Sequence, residues 1–312
     1  MNAAAFSSQD QLIEQSETDD TNTTTSLSSI ATLEDHLNYV QCLIELQNGH
    51  LLSGSYDSMI KVWDMKTNEC IATLADHDGY VLCLAELING DVISGSSDHT
   101  LKVWNTKTNT CTKTLYGHAD GVNCLIVLKN NQVISGSDDS TLKVWDMKNL
   151  KCIATLKGHK SSVFCLLELA NGQIISGSND KYINVWDLRT YTCTGVLIGN
   201  YNPVLSIIEL QNGELISTSG NSIKVWNLEK KECVTSLVGH EFCVQCIVEL
   251  TNGNVLSGSV DSTIKVWEMS RKACIATFSA SNSCIILCII ELKNGNVVSG
   301  SSDNSIKVWK KN

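Results

Sequence analysis

Short apolar runs separated by polar gaps recur along this chain with one cadence. The stretch Ile71 to Trp104, IATLADHDGYVLCLAELINGDVISGSSDHTLKVW, sets the pattern. Tyr80–Leu87 is apolar at nearly every position and predicts a strand buried on both faces. Asn89-Gly90 follows, a two-residue hairpin signal in which both positions tolerate positive φ. Asp91–Ser96 predicts a second strand, Ser97-Asp98-His99 a polar turn, and Leu101–Trp104 a third strand. Thr106–Asn109 is another polar turn, Cys111–Leu115 the fourth strand, and Gly117-His118 the loop into the next unit. No run carries a helical period of any length.

The unit occurs seven times, marked by Trp63, Trp104, Trp145, Trp186, Trp226, Trp267 and Trp309. Their spacings are 41, 41, 41, 40, 41 and 42 residues, and the chain has no other tryptophan. A fixed period near forty with four short strands per unit predicts the blades of a propeller. Ser29–Leu33 (SIATL) copies the fourth strand with no first three before it, and the last unit stops after its third strand. The two deficits match. The expected fold is therefore all-β: a seven-bladed β-propeller of four-stranded antiparallel blades, spanning 27–312 and closed by an N-terminal strand that completes the last blade. Residues 1–26 are acidic and rich in Ser and Thr, a composition that predicts a disordered tail.

Within the units, Gly-His, SGSxD and IKVWD recur at constant offsets. In this the chain resembles the WD-repeat β-propeller family, over about nine tenths of its length. Five sets share one spacing, with His 27 residues before Trp: His36, Ser53, Asp57, Trp63; His77, Ser94, Asp98, Trp104; His118, Ser135, Asp139, Trp145; His159, Ser176, Asp180, Trp186; and His240, Ser257, Asp261, Trp267. The resemblance implies that each set is a hydrogen-bond chain locking a loop to the third strand. The second serine of SGS, such as Ser96, is an alternative member. Five copies around a ring, without a nucleophile elbow, argue against a Ser-His-Asp hydrolase. The fifth unit departs, with Asn200 for His and Gly220 for Asp, and holds the only proline, Pro203. The seventh has Ser279-Ala280-Ser281-Asn282 in place of Gly-His. These two blades are expected to be the softest.

Charge and cysteine usage narrow the function. The formal net charge is −10, which disfavours nucleic acid and anionic membrane as partners. The start of the chain lacks the basic region and apolar core of a signal peptide, and no membrane span is visible. Most of the fourteen cysteines occupy two equivalent positions, in the first and fourth strands, and are expected to be small buried apolar residues in a reducing compartment. Cys243-x-x-Cys246 has no second pair, so no metal and no cofactor is expected. The cytoplasm is the expected location, with the nucleus as alternative.

What varies between the units is free to carry specificity. Variation gathers after Gly-His and before the turn aspartate, on the rim called the top face. In the family, residues flanking the first-strand valine line the mouth of the central channel. The resemblance thus implies a partner-binding set of Tyr39, Gln41, Tyr56, Tyr80, Leu82, Asn123, Phe164, Leu205, Gln245 and Leu287. Acids on the same rim (Glu34, Asp35, Asp76, Asp78, Asp120, Asp138, Glu241) outnumber the lysines Lys157, Lys160 and Lys181. The expected function is a non-enzymatic, monomeric interaction scaffold or adaptor. It binds a peptide or protein loop that carries a basic residue beside an apolar anchor. The rival readings are an architectural subunit of a larger assembly, such as a ubiquitin-ligase or signalling complex, using side or bottom surfaces, and an enzyme of the central channel. The only arginines, Arg189 and Arg271, map to the opposite face, which disfavours phosphopeptide reading.

Overall fold

A computed structural model describes residues 27–279 and 283–311. The expected tail, 1–26, and Ala280-Ser281-Asn282 lie outside the described residues. The described chain forms seven four-stranded antiparallel sheets. In blade two the strands are Val81–Glu86, Val92–Ser96, Leu101–Asn105 and Thr110–Leu115, close to the sequence expectation. The ring closes as expected. Leu27–Glu34 pairs antiparallel with Ser305–Lys311 and becomes the outer strand of blade seven.

Burial peaks in the second strand of each blade and is lowest in the fourth. Val40, Val81, Val122, Val163, Val244 and Ile286 head the inner strands and are fully buried, as is Val204, which precedes the inner strand of blade five. All five residues of the second strand are buried in six blades, and in blade three all but Gln132 of six, because both faces of the blade pack against neighbours. Fourth strands alternate between exposed and covered, since among the described residues no further strand lies outside them. Seven apolar clusters fill the ring, most of them combining residues of two adjacent blades.

Three sequence expectations need correction or completion. The Asn-Gly turns are not two-residue hairpins. Only the glycine takes positive φ (Gly90, +83°), and Leu87 N–H donates to the Asp91 carbonyl at 2.8 Å. Asn89 instead spends its side chain on the Asp91 N–H at 3.1 Å, so the loop is a tight turn followed by a left-handed residue. The fourth-strand cysteines are not buried as a class: Cys152 and Cys274 are exposed, and Cys70, Cys111, Cys193 and Cys233 are half-buried. They sit on the outermost strand, where one face meets solvent. The inner cysteines are covered, and Cys288 joins them in blade seven, opposite Gly300.

A second ring of contacts escaped the sequence reading. Glu45, Glu86, Glu209, Glu249 and Glu291, each ending a first strand, accept the N–H of Lys293, Gln47, Ala170, Gln211 and Thr251 from the preceding blade, at 2.6–2.9 Å. A carboxylate accepting a backbone N–H makes a charge-assisted bond, stronger than a neutral one. The signal was there: glutamate recurs at this place in six units, and Val127 is the exception.

Candidate partner-binding face

Five of the seven top loops are held by one repeated bond chain. In blade three, Trp145 Nε1–H donates to Ser135 Oγ at 2.8 Å, Ser135 Oγ lies 2.7 Å from His118 Nε2, and His118 Nδ1 lies 2.7 Å from Asp139 Oδ2. Asp139 Oδ2 then accepts the Ala119 N–H and Oδ1 the Thr141 N–H. The sets of blades one, two, four and six repeat the same chain. The first serine of SGS is the member in every case. The second, such as Ser137, accepts the Asp139 N–H and donates to the Asp120 carbonyl. A neutral histidine completes the chain with one proton per bond. Ser135 accepts from tryptophan and gives its own proton to Nε2, while Nδ1–H donates to aspartate.

Burial and the bonds of the chain set the proton affinities of its members. Burial pushes His118, His159 and His240 below their usual range, against the pull of their aspartates. Burial works against Asp57 and Asp139, yet the histidine and N–H or hydroxyl donors hold both down to about 2. Asp98, Asp180 and Asp261 are lowered against burial in the same way. Every one of these groups binds protons more readily when unfolded. Stability is therefore complete above pH ~6.5 and is lost as pH falls, first through the histidines and then below ~4 through the aspartates. Thermal melts from pH 8 to 3 are expected to show a flat upper region and then a fall of roughly 10 °C. A melting temperature that rises on acidification contradicts the neutral histidine.

The loops so held carry the channel mouth. In six blades the first strand bulges at its second residue. Val40 pairs with Ser55 but Cys42 with Gly54, leaving Gln41 unpaired, and the same shift falls at Leu82, Asn123, Phe164, Gln245 and Leu287. A bulge turns its extra side chain out of the pleat. These six residues, with Leu205, Ser206, Cys246 and Tyr56, line one cavity of about 350 Å³ at the axis. The expected residue after the valine is thus present from all seven blades.

Tyr39 and Tyr80 do not line the cavity but stand beside it. Tyr56 stacks on Tyr80 with ring centres 4.3 Å apart and planes 4° from parallel, and Tyr39 lies 5.6 Å from Tyr56. Tyr39 and Tyr80 remain 41% and 46% exposed, so the stack presents open aromatic surface. Burial, then the neighbouring tyrosines and Asp138, push the Tyr56 phenol above its usual range. Asp138 also accepts a bond from Asn123 Nδ2 at 2.7 Å, so one carboxylate both holds a cavity-lining amide and acts on Tyr56. The acidic rim is less free than the sequence implied. Asp35 and Asp76 are ion-paired to Lys61 and Lys102 of the third strands.

Blade five departs in a coordinated way. Its inner strand is shortened to Ile207–Glu209. Ser206 stands where other blades have cysteine, and Thr218 where they have the glycine of SGS. Thr218 Oγ1 accepts the N–H groups of Leu205 and Ser206 at 3.0 Å each. Asn200, at the histidine position, is buried and its amide finds no partner among the described residues.

A closed ring of seven such blades, with repeated Trp–Ser–His–Asp bond chains, defines a WD-repeat propeller. The family model "WD domain, G-beta repeat" matches residues 27–64, 68–105, 109–146, 150–187, 231–268 and 272–310. The chain belongs to that family, whose propellers are typically protein-interaction scaffolds. The unmatched stretch holds blade five, where the histidine, aspartate and SGS are replaced. Among solved structures, the chain is similar to one described as "Crystal structure of WD40 beta propeller domain of Doa1", with a TM-score of 0.82, 22% identity, and coverage of 91% of this chain and 97% of that one. At that identity the likeness shows the fold alone. No curated protein matches the sequence.

Proposed function

We propose that this propeller is a non-enzymatic interaction module that holds a peptide or protein loop at the channel mouth. The observation that carries the reading is the convergence of one residue from every blade, with Tyr56, on a single open cavity beside an exposed tyrosine stack. Exposed aromatic surface around a concavity is the composition of interface anchors. Leu82, Phe164, Leu205 and Leu287 offer an apolar seat, and Gln41, Asn123 and Gln245 offer amides for a partner's backbone. Asp138 beside the tyrosines favours a Lys or Arg next to the apolar anchor, through charge and the ring faces together. Fourteen thiols without a disulfide fit a reducing compartment, the cytoplasm or the nucleus.

The test compares wild type with a Tyr80→Ala, Phe164→Ala double variant as bait in native cytosol, both shown folded by tryptophan fluorescence. Partners bound by wild type are expected to be lost from the variant, by 100-fold or more in affinity where two anchors are removed. For any partner so identified, affinity is expected to fall with added salt. Identical partner lists overturn the top-face reading.

A further inference from the structure

The joint between blades one and two lacks a plug that five other joints have. Two residues after the tryptophan, Met65, Met147, Leu188, Leu228 and Met269 each pack into the cluster of the preceding blade. Blade two has Thr106 there, and the cluster between blades one and two contains no residue from that turn. Thr106 is turned to its own neighbour instead, its hydroxyl donating to the Gly90 carbonyl at 3.0 Å. Beneath it lies a cavity of about 120 Å³ with apolar walls from Leu46, Leu52, Val62 and Leu74, all buried, and from Ile71. Its rim carries Asn48, His50 and Asn109 beside Thr106.

We propose that this cavity is a second binding site, which receives one methionine or leucine side chain of a partner peptide. The chemistry of the occupant is read from the molecule itself. At five equivalent joints the same walls close on a methionine or leucine from the chain. The amides of Asn48 and Asn109 and the His50 ring stand where the backbone of such a residue enters, offering donors and acceptors that an all-apolar ligand would leave idle. Apolar cavities of this order are known to take small hydrocarbons, so the space is sufficient for a compact side chain. Burying that side chain is worth about 10- to 100-fold in affinity. The site lies at the hairpin rim, opposite the tyrosine stack, and shares no residue with the channel mouth. Its success or failure is therefore independent of the function proposed above.

The test uses the full chain and N-acetyl-methionine methylamide as probe, followed by methyl NMR of leucine, valine and isoleucine. Binding is expected to shift the methyls of Leu46, Leu52, Val62 and Leu74 and to leave Leu82 and Leu287 unmoved. Thr106→Met, which supplies the missing plug, is expected to raise the melting temperature by a few degrees. It is also expected to weaken the probe at least 10-fold. Thr106→Leu serves as a second filling variant should the first fold poorly. No shifts at saturating probe overturn the proposal, as do equal shifts in the filled variants. Shifts with benzene but none with the capped methionine also overturn it, since they mark a mere hydrocarbon void.

Discussion

Deletion of residues 27–34 is expected to lower the melting temperature by more than ~10 °C or to yield insoluble protein. Leu33 is 3% exposed and packs in one cluster with Val40, Leu51 and Trp63 of blade one, so it ties the last blade to the first. Leu27, also buried, packs with the blade six and seven residues Leu250, Val266 and Trp309. Removing the strand discards both contacts and strips Ser305–Lys311 of its outer partner, leaving only the Val297–Ser301 side paired. An unpaired apolar edge is a template for aggregation. The single change Leu33→Ala isolates the packing part and is expected to cost about 2–5 kcal/mol by chemical denaturation. Deletion of residues 1–26 alone is expected to leave the melting temperature unchanged, since that segment has few apolar groups to bury. A ring that melts normally without residues 27–34 contradicts closure as a source of stability.

Gly136→Thr is expected to destabilise blade three by about 3 kcal/mol, and Cys124→Ser to recover part of that loss. A Cβ at Gly136 meets Cys124 Sγ and Val163 Cγ1, each at 2.7 Å, one from its own blade and one from the next. Both are buried side chains with no room to retreat. Gly54, Gly95, Gly177, Gly258 and Gly300 meet the corresponding pair equally closely. Blade five carries the alternative solution, threonine with serine in place of glycine with cysteine. There the threonine hydroxyl replaces part of the lost inner-strand ladder. A double-mutant cycle on Gly136 and Cys124 is therefore expected to give a favourable coupling of at least ~1 kcal/mol. Additive effects mean that the blade five pair arose without mutual compensation.

Both experiments separate what the chain announces from what packing decides. The 41-residue cadence, the buried strands and the orphan Ser29–Leu33 segment were legible because repetition multiplies a weak local signal sevenfold. The spacing of the Trp–Ser–His–Asp sets was legible for the same reason, while their bonding and the ring of residues after the inner valine came from the resemblance to the WD-repeat family. The kind of turn at Asn-Gly was not, because one dipeptide suits two hairpin geometries and the flanking strands choose between them. Nor was the exposure of the outer cysteines, since period and residue type match a buried position and only the absence of a further layer exposes them.

By itself, then, the sequence determined the number of blades, their four-strand order and the way the ring closes, since these follow from hydrophobic period and turn chemistry along the chain. Tertiary structure alone decided the rest. It set the bulge that turns Gln41, Phe164 and their equivalents into the channel, the 4.3 Å stack of Tyr56 on Tyr80, the pairing of Asp35 and Asp76 with lysines, and the gap left by Thr106. Each joins residues of different strands or blades. Their meeting is fixed by register and by the angle between neighbouring sheets, which no local run of the sequence encodes.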